Sequence, residues 1–165
     1  KPATPAVYRP VLRHLADRVG SRLRAKSLAG RTVTARVRFA DLTAVTRSAT
    51  LGAPISATGI LAEIAEDLVR AALADHPEER HISLLAISVS HMEEESGLQL
   101  DLPLALDDEP LRPGSSRGAQ RWVADRAVDA IRERFGWESV GYASVALDRA
   151  GAVPDAFREL AEKDL

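Results

Sequence analysis

The spacing of apolar positions changes repeatedly along the first ninety residues, and each change marks an element. Val11, Leu12, Leu15, Val19 and Leu23 recur at helical spacing with arginines on the other faces. This predicts a helix over 7–29, entered through Pro2 and Pro5 and stopped by Gly30. From 31 to 40 the period becomes two, with Val33, Ala35, Val37 and Phe39 alternating with Thr32, Thr34, Arg36 and Arg38. Asp41 and Leu42 interrupt, and a β-branched, hydroxyl-rich run follows over 43–51, so two strands joined by a short turn or bulge are expected. Gly52 to Pro54 reads as a break. Ser56 or Thr58 then caps a second helix reaching Ala74, with Leu61, Ile64, Leu68 and Ala72 inward and His76-Pro77 beyond its end. A third strand over 82–89 turns Leu85, Ile87 and Val89 inward. Helix, strand, strand, helix, strand predicts an α+β fold, an antiparallel sheet with two helices packed on one face. Its expected core sets Val33, Val37, Phe39, Leu85 and Ile87 against Leu15, Val19, Leu61, Ile64 and Leu68.

Past Met92 the pattern is different. Glu93 to Glu95 is an acidic run, 97–103 reads as extended, and 107–119, with its acids and prolines, reads as a linker. A third helix is expected over 120–135, closed by Gly136; 139–147 fits a strand and 154–163 a last short helix. The organisation is therefore a body over 1–106, a linker over 107–119 and a C-terminal helical extension over 120–165.

Composition narrows the chemistry. The chain has 165 residues, enough for one domain with an appendage, and no cysteine, which removes disulfides, thiol catalysis and Cys-type zinc sites. It shows no apolar run long enough for a membrane span and no secretory signal pattern, so a cytoplasmic location is expected and no membrane partner. The net charge of −2 hides a separation: residues 1–50 carry 11 Lys/Arg against 2 Asp/Glu, and residues 51–112 carry 3 against 13. A basic first third can attract phosphates; alternatively, two oppositely charged regions attract each other across the fold.

Catalytic signatures are absent. There is no phosphate-binding lysine loop, nucleophile elbow, zinc-protease helix or dinucleotide fingerprint. His14, His76, His81 and His91 lie on unrelated elements without ligand spacing, and Glu93, Glu94 and Glu95 read as a solvated face, so no catalytic and no metal-ligating residue is assigned. The strand pair says more. Thr34, Arg36 and Arg38 on the first strand, and Thr46, Arg47 and Ser48 on the second, supply guanidinium and hydroxyl groups of the kind that track phosphates without reading bases. The competing reading is the solvated outer face of an antiparallel sheet, where threonine is common. Stacking aromatics are missing from these strands, which argues against single-strand or RNA recognition.

The run from Lys26 to Leu51, Lys-Ser-Leu-Ala-Gly-Arg-Thr-Val-Thr-Ala-Arg-Val-Arg-Phe-Ala-Asp-Leu-Thr-Ala-Val-Thr-Arg-Ser-Ala-Thr-Leu, closely resembles the little finger domain of Y-family translesion DNA polymerases, nearest the DNA polymerase IV branch. Residues 82–90 look like that domain's final strand, and the resemblance in order and spacing spans about 7–104. The segments 127–136 and 153–161 resemble the C-terminal extension of actinobacterial members. The resemblance implies a four-stranded sheet with two helices, laid in the DNA major groove and holding phosphates of duplex primer-template DNA. Carried over by position, Thr34, Arg36, Arg38, Thr46, Arg47 and Ser48 fall on the DNA-side strands. It also implies that the carboxylates binding Mg2+ belong to the palm, which nothing here matches, so this chain needs no cofactor of its own. Ser83 stands where the family usually has arginine, with Arg80 nearby, and Ala86 where it usually has glycine. The family's domain also begins with a strand before the first helix, for which the seven residues before Tyr8 are too few; either that strand is missing here or 139–147 fills the open edge.

Gln99-Leu100-Asp101-Leu102-Pro103-Leu104 resembles the peptide by which bacterial proteins bind the sliding clamp (the beta subunit), with a polar glutamine anchor and leucines for an apolar groove. The competing reading is an edge strand packing Leu100, Leu102 and Leu104 on its own core. The expected function is therefore the DNA- and clamp-binding part of a translesion polymerase, nucleoid-associated in the cytoplasm. The alternatives are the same domain in a non-catalytic polymerase relative, or a protein–protein adaptor.

Overall fold

The computed structural model describes residues 1–95 and 116–142. The elements are α1 (Pro5–Ala25), β1 (Leu28–Phe39), β2 (Ala44–Ile55), α2 (Thr58–Ala74), β3 (Ile82–Glu94) and α3 (Ser116–Phe135), with a 3-10 turn at Trp137–Ser139. The strands form one antiparallel sheet in the order β2-β1-β3, and α1 and α2 cover one face of it. This is the α+β arrangement that the changes of period predict. Ahead of α1 the described residues meet the sheet through one antiparallel bridge between Pro2 and His81, beside which the Ala3 N–H donates to the Arg80 carbonyl at 2.9 Å. Of the substitute edge expected over 139–147, Ser139 belongs to the 3-10 turn, and 143–147 lie outside the described residues, as do 154–163.

Two punctuation signals act differently from their sequence reading. α1 ends at Ala25, and Ser27, with a φ of 52°, turns the chain into β1 before Gly30 is reached. Gly30 lies within the strand because a Cβ there would stand 2.2 Å from Val89 Cγ1; its lack of a side chain permits the strands to close. Gly52 to Pro54 do not end β2. The pairing instead shifts from Gly30 opposite Ile55 to Thr32 opposite Thr50, so the extra residues form an irregularity inside the strand. The hairpin itself follows local chemistry: Asp41 Oδ1 accepts from the Thr43 N–H at 2.9 Å and from its hydroxyl at 2.7 Å, while Leu42 takes a φ of 74°.

Val33, Ala35, Val37 and Phe39 are fully buried beneath Leu12, Ala16, Leu61, Ala65 and Val69. The inward face of α1 centres on Tyr8, Leu12, Ala16, Gly20 and Leu23, and Leu15 and Val19 are only half-buried. On α2, Leu61 and Ala72 face inward as expected, whereas Ile64 and Leu68 sit at the margin of the packed face. Leu85, Ile87 and Val89 pack from β3 and stay half-buried.

The expected third helix begins at Ser116, four residues before its sequence estimate, and it packs on the helix layer through charge. Asp125 accepts from the Thr58 N–H at 2.7 Å and so caps α2, whose preceding Ala57 offers no side chain to do it. Arg132 forms a buried two-pronged pair with Asp17 at 2.8 and 2.9 Å, and Arg121 pairs with Glu63 at 2.6 and 2.9 Å. Trp122 Nε1 donates to Glu95 at 2.9 Å. The Tyr142 hydroxyl also donates to Asp125. Burial, and then the hydrogen bond to Asp125 and its charge, push that phenol well above its ordinary range.

A sign follows for alkaline pH. An unfolded phenol titrates near about 10. Because the folded value is raised, its contribution is fully present below that pH and is lost as pH rises toward the folded value. Between pH 8 and pH 11 the native protein should lose more unfolding free energy than the Tyr142→Phe variant, measured by urea denaturation at each pH. Equal losses would show that the phenol is not held in the folded state.

Candidate nucleic-acid interface

The alternation of β1 that buries Val33 to Phe39 carries its other residues to the face away from the helices. Cross-strand partners share a face, so the register assembles rows across the sheet: Leu84, Arg38 and Ala44; Ala86, Arg36 and Thr46; Ser88, Thr34 and Ser48; Ser90, Thr32 and Thr50. No acidic residue occurs in these rows. Of the six residues that the sequence reading assigns to DNA contact, Thr34, Arg36, Arg38, Thr46 and Ser48 are brought together here.

Arg47 is not. It lies opposite Ala35, which is 1% exposed beneath the helices, and its guanidinium reaches Asp75 at the end of α2 at 2.6 Å. Neighbouring residues of a strand point to opposite faces, so Arg47 cannot share a face with Thr46 and Ser48. Grouping the run by chemistry rather than by phase put it on the wrong side.

The guanidinium groups of the strand pair separate by partner. Arg31 is held by Glu93 at 2.5 Å, and this pairing pulls the Glu93 carboxyl below its usual range. Arg47 is held by Asp75. On α1, Arg9 pairs with Glu66 at 2.7 Å. Attraction between the basic and acidic regions thus joins Arg9, Arg31 and Arg47 to Glu66, Glu93 and Asp75 on the helix side and at the edges. Arg36 and Arg38 have no acidic partner among the described residues, and both stand on the outer face.

Ser83 fixes Arg38. It is the extra residue where the β1–β3 register shifts between Arg38 and Phe39. Its hydroxyl accepts from Arg38 Nε at 3.1 Å and donates to the Phe39 carbonyl at 2.7 Å. The residue standing in place of the family's usual arginine therefore positions a neighbouring one, while Arg80 is exposed just before the strand. Sequence reading also missed a polar chain at the other end of the face. Thr32 Oγ1 lies 3.0 Å from Thr50 Oγ1 and 2.9 Å from His91 Nδ1, with His91 turned by a φ of 52°. Thr32 and Thr50 were legible from alternation; the turned His91 had no local signal.

The segment Gln99 to Leu104 lies outside the described residues. Among the described residues no group of three or more His, Asp or Glu side chains is gathered as a metal site, and no helix is long and apolar enough to cross a membrane.

Residues 3–102 match the model of the impB/mucB/samB family C-terminal domain. Among curated proteins, the chain is 69% identical over all 165 residues to "DNA polymerase IV 2" of Mesorhizobium japonicum, covering 40% of that protein. It is 31% identical to "DNA polymerase IV" of Desulfatibacillum aliphaticivorans across 82% of the chain and 32% of the relative. With "DNA polymerase IV" of Brucella melitensis it shares 30% identity across 79% of the chain and 26% of the relative. The chain thus spans about two fifths or less of the length of these relatives. With the match covering more than half of its residues, the chain belongs to the impB/mucB/samB family, in which residues 3–102 form the C-terminal domain.

Proposed function

We propose that this chain is the duplex-binding C-terminal part of a DNA-directed DNA polymerase of the translesion type, acting in the cytoplasm at the nucleoid. The observation that carries the reading is the segregation of Arg36 and Arg38, without acidic partners among the described residues, onto a hydroxyl-lined sheet face whose described rows hold no acid. Guanidinium and hydroxyl groups of that kind hold phosphates of primer and template alike and leave the bases unread. Nucleotidyl transfer and its Mg2+ would belong to the part of the polymerase outside this chain; the residues here bind and orient the duplex.

Arg36→Ala and Arg38→Ala should each weaken binding on all duplex sequences alike, and each should reduce the slope of log affinity against log salt by about one unit. Arg47→Ala should leave the slope unchanged, because its guanidinium is occupied by Asp75 on the other face. Fluorescence anisotropy across a salt series reads all three. An unchanged slope in the Arg36 and Arg38 variants would reject the interface.

Within the same proposal, Gln99 to Leu104 is the clamp-binding peptide, with Gln99 as polar anchor, Leu102 and Leu104 as groove anchors, and Leu100, Asp101 and Pro103 as the frame between them. Replacing Gln99, Leu102 and Leu104 together by alanine should weaken binding to the bacterial clamp by roughly thirtyfold or more, since single groove anchors commonly carry about 2 kcal/mol. Equal clamp affinity of the two proteins in surface plasmon resonance would return the leucines to a packing role.

A further inference from the structure

The outer face of the sheet changes character along its length. Arg36 and Arg38 stand in the rows at one end, and the rows at the other end, centred on Thr34 and Thr32, offer hydroxyls alone. Arg38 and Thr32 are about 20 Å apart along β1, at ~3.3 Å for each strand residue. A duplex laid along β1 covers that length with roughly six base-pair rises, so phosphates held at the arginine end have neighbours over the hydroxyl end. Of the cationic strand residues there, Arg31 is already held by Glu93. What remains is the imidazole of His91.

His91 reaches this face through a turned backbone. Its φ of 52° is a conformation that residues other than glycine, asparagine and aspartate rarely adopt. Nδ1 lies 2.9 Å from Thr32 Oγ1, while the residue stays exposed. Thr32 does not depend on that contact, because its hydroxyl also has Thr50 Oγ1 at 3.0 Å. Strained backbone of this sort collects at ligand sites.

Thr50, Thr32 and His91 form a chain whose direction depends on the ring. In a neutral imidazole that offers Nε2–H to a ligand, Nδ1 accepts from the Thr32 hydroxyl, which accepts from Thr50. In the imidazolium, Nδ1–H donates to Thr32 and the Thr32 proton turns to Thr50. The exposed Thr50 hydroxyl is then freed to donate outward. Protonation thus adds a charge and a second donor, both suited to an anionic oxygen. The acids at this end are turned elsewhere. On β3, Glu93 is engaged by Arg31, and Glu94 stands opposite Leu28, which packs against the core. Glu95 is taken by Ser56, Trp122 and Arg126, and β2 has no charged residue between Ser48 and Ile55.

We propose that His91, linked to Thr32 and Thr50, is a third phosphate-binding group of this face and holds its phosphate as the imidazolium. The proposal rests on the duplex-binding reading above. Phosphodiesters stay anionic throughout, so affinity should rise as pH falls across the range in which histidine side chains gain their charge. The full chain is titrated with duplex by fluorescence anisotropy across a salt series at pH 8 and pH 6. It is compared with His91→Asn, which tolerates the turned backbone, and with His91→Lys. From pH 8 to pH 6 the parent should gain up to about one unit of log–log salt slope, so that raising salt from about 50 to about 200 mM weakens it by a further factor of roughly three. His91→Asn should lack that gain, and His91→Lys should show the steeper slope already at pH 8. His14, His76 and His81 are common to all three proteins, so the differences report position 91. A gain of the same size in His91→Asn, or no steepening at pH 8 in His91→Lys, would overturn the proposal. Arg36→Ala at pH 8 is the control for the face: a reduced slope there makes either failure one of His91 alone, and an unchanged slope rejects the face and this proposal with it.

Discussion

Replacing Arg24 by alanine is expected to lower the unfolding free energy by roughly 3–5 kcal/mol, the range for removing one partner of a buried ion pair. Arg24 is 2% exposed at the end of α1, and every part of its guanidinium is engaged. Nη1 donates to the Ser56 carbonyl at 2.7 Å, to Thr58 Oγ1 at 3.2 Å and to Asp125 at 3.3 Å; Nε and Nη2 hold Asp129 at 2.6 and 3.1 Å. Burial alone would depress such a group, but the hydrogen bond to Asp129 and the charges of both aspartates outweigh it and raise its pKa. Gly20 makes the arrangement possible, because a Cβ there would lie 2.9 Å from Arg24 Nη1 and 3.0 Å from the Ser56 carbonyl. Removing the guanidinium leaves Asp125 buried without its counterion and α3 without its hub. Arg24→Lys should recover only part of the loss, since an ammonium cannot fork between two carboxylates. Urea denaturation of the three proteins measures this, and a cost below about 1 kcal/mol for Arg24→Ala would mean that water reaches the cluster.

The second large effect is apolar. Phe39→Ala should cost about 3–5 kcal/mol, as large-to-small changes in a packed core do. Phe39 is 0% exposed, packs with Val37, Val69 and Ile82, and faces the His76 ring at a centroid distance of 5.3 Å. His76 is itself anchored by a 2.9 Å contact between Nδ1 and the Ala72 carbonyl, so it is poorly placed to collapse into the void. Equilibrium denaturation gives the cost directly. A loss under about 1 kcal/mol would show that the surrounding helices close the gap.

What could be read from the sequence was whatever has a local period. Alternation over 31–40 placed Phe39 inward and Arg36 and Arg38 outward, which is the essence of the proposed interface. The same alternation, carried consistently into β2, puts Val45, Arg47 and Ala49 on the helix side, so the misplacement of Arg47 was avoidable. Gly30 and Gly52 were read as breaks because glycine usually is one. Only the approach of Val89 from a strand 59 positions later explains why Gly30 sits mid-strand. The docking of α3 had no signal at all. Its most regular apolar stripe, Val123, Ala127, Ile131 and Phe135, is exposed, and the side that docks is selected by Asp17, Arg24 and Thr58, more than 60 residues distant in the chain.

The docked helix separates two boundaries that usually coincide. The recognisable domain ends at residue 102, yet Asp125 closes the first turn of α2, and Arg132 neutralises Asp17 in the middle of α1. A chain cut at the recognisable edge would retain α1 with a carboxylate and a guanidinium in positions shaped for opposite charges that are no longer supplied. The charges that α1 and α2 bury are thus answered from beyond the recognisable edge, by side chains of α3 and by Tyr142.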